Sequence, residues 1–67
     1  MLSSDFRSAR KMVNGLTSQV ERQRHMVESA MNDGDRRSAL TVLHLLEEEL
    51  AAHQDRLEAL RRLSARH

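Results

Sequence analysis

Leu40-Thr41-Val42-Leu43-His44-Leu45-Leu46-Glu47-Glu48-Glu49-Leu50-Ala51-Ala52-His53-Gln54-Asp55-Arg56-Leu57-Glu58-Ala59-Leu60-Arg61-Arg62-Leu63 decides how the chain folds. Leu43, Leu46, Leu50, His53, Leu57 and Leu60 recur at alternating steps of three and four, so they form one stripe along a helix. A stripe this long needs a cover. The rest of the chain reads as that cover.

Upstream, Leu2, Phe6, Ala9, Val13, Leu16, Val20, Gln23, Val27 and Ala30 repeat the same alternation. Met12 and Met26 widen the stripe on one side and Met31 on the other. Ser3 or Ser4 is expected to cap this first helix. Asn14-Gly15 is a local conflict, since glycine in a helix interior costs roughly 1 kcal/mol against alanine. Ser18 and Glu21 also have capping-box spacing. The stripe nevertheless keeps its phase from Val13 to Leu16, so a continuous but weakened helix is expected, with a break near Asn14 as the alternative.

Between the stripes lies Asn32-Asp33-Gly34-Asp35. Gly34 suits a left-handed helix end, and Asp35 suits a cap for the next helix. A link this short makes neighbouring helices antiparallel. The expectation is an all-α fold, an antiparallel two-helix hairpin of coiled-coil type in a single domain, 1–67. Its helices run over about 4–31 and 36–64 with a turn at 32–35. Folding at Gly34 sets Val27 beside Leu43, Val20 beside Leu50, Leu16 beside His53 and Val13 beside Leu57.

Composition narrows the function. The chain has 67 residues and no cysteine, which removes disulfides and thiolate zinc sites as supplements to a small core. Association is the supplement left. Only 1% of residues are aromatic, too few large rings for an ordinary enzyme core. Net charge is +1 with signs interspersed, against a nucleic-acid face, although ten of the eleven basic residues are arginine. The N-terminus lacks an apolar signal region and no run reaches membrane-spanning length, so a cytoplasmic location is expected.

No residues gather into a recognisable catalytic motif. His44 with Glu48, and Glu49 with His53, have i, i+4 spacing that suits a metal. There is no Glu-x-x-His and no His-Glu-x-x-His, so surface pairing is the reading for His44 and Glu48. His53 takes a seam position and reads as a partly buried histidine satisfied by Glu49 or water, or else as a register or pH-sensitive contact. Gln23, polar in the other seam, specifies alignment at some cost in stability. Glu47-Glu48-Glu49 reads as a solvated face, with a docking surface for a basic partner as the alternative. Glu21/Arg24, Glu58/Arg61 and Glu58/Arg62 have the spacing of surface ion pairs. No enzyme, cofactor or metal is expected.

The informative surplus is apolar. Leu40, Val42, Leu45, Met12 and Met26 lie beside the seams and exceed what two helices can bury against each other, so they are the expected partner-binding residues. They would complete a bundle with a second copy or with another helical protein. Size, absent cysteine, the central glycine turn and the Leu/Ala/Glu-rich helix from Leu46 to Leu63 resemble the small helical-hairpin co-chaperones of type III secretion, the YscE and PscE family. The resemblance covers roughly Leu16 to Leu63. It implies a cytoplasmic hairpin that stabilises a larger helical chaperone and, with it, holds a needle subunit unpolymerised. The alternative is a homodimeric four-helix bundle with a regulatory role. That would be a Rop-like RNA binder, which mixed charge disfavours, or a response-regulator-binding hairpin of the sporulation phosphatase type, whose Ser-x-x-x-Asp element fails at Ser38 and Val42.

Overall fold

The computed structural model describes the backbone of residues 2–65 and the side chains of residues 4–65. Two helices account for nearly all of it: α1, Leu2–Ser29, and α2, Asp33–Ala65. They pack against each other along their lengths in a hairpin of 53 × 14 × 13 Å. The 53 Å length is set by α2, since 33 residues at about 1.5 Å each give about 50 Å.

The turn lies earlier than its residue types suggest. The Ser29 hydroxyl donates to the His25 carbonyl at 2.7 Å, and the Ala30 N–H reaches only the Val27 carbonyl, at 3.4 Å. That tightened last turn ends α1 at Ser29, and Met31 stands 93% exposed in the bend rather than widening the stripe. Asn32, not Asp35, caps α2. Its Oδ1 accepts the Asp35 N–H at 2.8 Å, while its carbonyl accepts the Arg36 N–H at 3.0 Å. Asp35 answers from the third helical position, accepting from Asn32 Nδ2 at 3.1 Å. Asp33 and Asp35 thus sit in the first turn, where the helix dipole favours carboxylates.

Gly34 is consequently helical. No glycine among the described residues has positive φ, so the left-handed role expected of Gly34 is not taken. A Cβ there would make ordinary contact with Asn32 Oδ1 at 3.4 Å. Gly34→Ala should therefore raise stability by up to about 1 kcal/mol, seen as a higher thermal midpoint. Asn32→Ala should lower it by about 1 kcal/mol in the same measurement, because the Asp35 N–H loses its acceptor.

α1 runs unbroken through Asn14-Gly15. Thr17 returns its hydroxyl to the Val13 carbonyl at 2.8 Å across this segment. Ser18 and Glu21 lie inside the helix, as do Ser3 and Ser4, so none starts one. The expected position of Leu2 in the stripe lies outside the described side chains.

The seam of α1 is legible in burial. Ala9, Leu16, Val20 and Gln23 are buried, and Phe6, Val13, Val27 and Ala30 are half-buried. On α2 only Leu43 is buried, while Leu46, Leu50, His53, Leu57 and Leu60 stay half-exposed. A single narrow helix cannot cover the wider apolar arc of α2.

Register follows from one bond. Gln23 Nε2 donates to the Ala39 carbonyl at 2.9 Å, and the point midway between them in the chain is Met31. Pairing is thus centred on the bend rather than on Gly34. His53 accordingly lines a depression with Ala9 and Met12, and Leu16 is not part of it. That is about one to two turns from the expected register.

Candidate protein-binding face

Successive helical residues are about 100° apart, so residues two apart fall on nearly opposite sides of a stripe. Leu40 and Val42 therefore flank Leu43 on opposite edges of α2. Glu47, two turns beyond Leu40, carries the hairpin's cross-helix ion pair, with Arg24 at 3.3 Å. This corrects two expectations: Arg24 bonds across to α2 rather than to Glu21, and Glu47 is half-buried at an edge rather than solvated with Glu48 and Glu49. Both partners are substantially exposed, so the pair contributes at most about 1 kcal/mol. Leu40 lies on this edge.

The opposite edge is apolar. Met26 and Val42 line one depression together with Gln23, Ser29 and Ala39. Farther along, Met12 lines a second with His53, Ala9, Ser8 and Arg56. Leu45 belongs to the same side of α2 and is 61% exposed. Met12, Met26 and Val42 are also exposed. The structure thus gathers Met12, Met26, Val42 and Leu45 on one face and separates Leu40 from them. Leu63, 48% exposed, extends that face toward the open end of the hairpin.

Gln23 sits at the border of seam and face. Its side chain is 9% exposed and spends its amide on the Ala39 carbonyl. Among the described residues no buried side-chain nitrogen or oxygen lacks a partner. The one buried polar side chain among the described residues is therefore a structural tie across the two helices.

The other polar candidates stay apart. His44 is exposed, and His53 is half-buried without a hydrogen bond to Glu49. No three of His, Asp or Glu are gathered to hold a metal among the described residues. Glu58 pairs with Arg61 at 3.8 Å and with Arg62 at 3.6 Å, as their spacing implies. His25 and Glu28 add a longer contact at 3.9 Å. No helix among the described residues is long and apolar enough to cross a membrane.

No family model, no curated protein and no solved structure matches this chain.

Proposed function

We infer that the chain is a non-enzymatic helical interaction module, a small chaperone or adaptor that covers an apolar helix of a partner protein. The observation that carries this reading is the face bearing Met12, Met26, Val42 and Leu45. Large apolar side chains stand exposed there, on a hairpin whose α2 seam leucines beyond Leu43 are only half covered. Methionine suits such a surface, because its flexible thioether adapts to irregular partners. The mechanism is mass action: binding covers nonpolar surface and stabilises the folded partner in proportion to its concentration over Kd. Size and hairpin shape support the resemblance to the cytoplasmic co-chaperones of type III secretion, where such a hairpin holds a larger helical chaperone.

Leu45→Glu should weaken capture of the protein that co-purifies with the untagged chain by tenfold or more, roughly the effect of losing one central anchor. Ala51→Glu, on the edge of Arg24 and Glu47, should leave capture unchanged. Circular dichroism should show both variants as helical as the parent. Equal loss of capture by both, or loss of helix in Leu45→Glu, would count against the assignment of this face.

A further inference from the structure

A second stripe runs along α2, one position away from the seam. Val42, Leu45, Ala52, Ala59 and Leu63 follow the three-four alternation, and every one of them is exposed. Glu49 and Arg56 complete the alternation. They are also exposed, and neither carries an ion pair among the described residues. From Val42 to Leu63 the stripe is about 30 Å long.

Counted from either end, Val42 answers Leu63 and Glu49 answers Arg56 with opposite charge, about Ala52 at the centre; only Leu45, answered by Ala59, departs from this order. We propose that this face binds a second copy of the chain, α2 antiparallel to α2, about a two-fold axis passing between Ala52 and His53. Glu49 then meets Arg56 of the second copy, and Arg56 meets its Glu49. Val42 falls opposite Leu63, and Leu45 falls at the level of exposed Ala59 and the half-buried seam residue Leu60. Antiparallel order is selected by charge, because a parallel in-register pair would set Glu49 against Glu49 and Arg56 against Arg56. Alanine at position 52 lets the two helices approach at the axis. The first helix agrees with this placement. Met12 shares a depression with His53, and beside it Gly15 has nothing within 4 Å of where a Cβ would stand. The Met12 side chains of the two copies converge into that space, and the product is a four-helix bundle.

The inference rests on reading this face as a docking surface; the second copy covers it in the absence of the partner protein, whose helix competes for the same residues. The test uses the whole chain in two charge variants, Glu49→Arg and Arg56→Glu, examined by sedimentation equilibrium at low salt. The parent should be a dimer. Each variant alone faces like charge with like at both contacts, and its dimer should dissociate at roughly tenfold lower dilution or less. An equimolar mixture restores opposite charges at both contacts, so the mixture should dimerise while neither component does. A monomeric parent overturns the proposal, as does a dimer indifferent to either swap or a mixture that fails to associate. A monomeric parent whose heterologous capture is still lost on Leu45→Glu would overturn the second-copy inference alone. A parent dimer that survives Leu45→Glu would remove the face itself.

Discussion

Leu16→Ala should leave the chain only marginally folded at 25 °C, with a clear loss of far-ultraviolet helical signal and a thermal transition that begins at or below room temperature. Leu16 is 6% exposed at the middle of α1, among the few side chains this hairpin buries well. Removing it costs about 2–3 kcal/mol, the lower part of the usual range, because a two-helix seam can partly collapse into the gap. At about 0.05 kcal/mol per residue, a chain of this size has a total stability near 3 kcal/mol. The loss and the reserve are of the same order. Met12→Ala removes a side chain of similar volume from an exposed site and should keep the helical signal. Equal signals from the two variants would show that the seam does not hold the fold.

The second large effect concerns uniqueness rather than stability. Gln23→Leu should hold or raise the thermal midpoint, since an apolar side chain replaces a buried amide in a leucine-rich seam. It should also give more than one set of amide resonances in a proton–nitrogen correlation spectrum. The bond from Gln23 Nε2 to the Ala39 carbonyl penalises every alignment that would leave the buried amide without an acceptor. Leucine imposes no such penalty, and α2 offers half-covered leucines at several levels. A single sharp set of resonances in Gln23→Leu would assign the alignment to the turn instead.

The two stripes, their antiparallel pairing and the continuity of α1 through Gly15 were all legible in the residue order. Periodicity is a property of many side chains at once, and it outvotes one weak helix former. The turn was legible only as a region. Asn, Asp and Gly each suit several positions around a helix start, so composition alone did not tell the cap from the third helical residue. The choice was made by the Ser29 hydroxyl and the Asn32 side chain, which satisfy backbone groups on either side of the bend. That shift carried His53 away from Leu16. Where the expected partner-binding residues lie follows from angular position on each helix instead. Met12, Met26, Val42 and Leu45 fell together because they share one flank. Leu40 resembles them in apolarity, while its angular position puts it with Arg24 and Glu47. The cross-helix pair itself was hidden, because Arg24 has an equally plausible acidic neighbour at i−3.

One consequence of the short bend at Ala30–Asn32 is kinetic. Seam contacts join residues roughly equidistant from it, so the loop to be closed grows steadily from the bend outward. Closure therefore advances like a zip fastener, beginning near the bend, passing the level of Gln23 and Ala39, and finishing near Phe6 and Arg61. Opening retraces that path, and the free ends of the rod are the first to part.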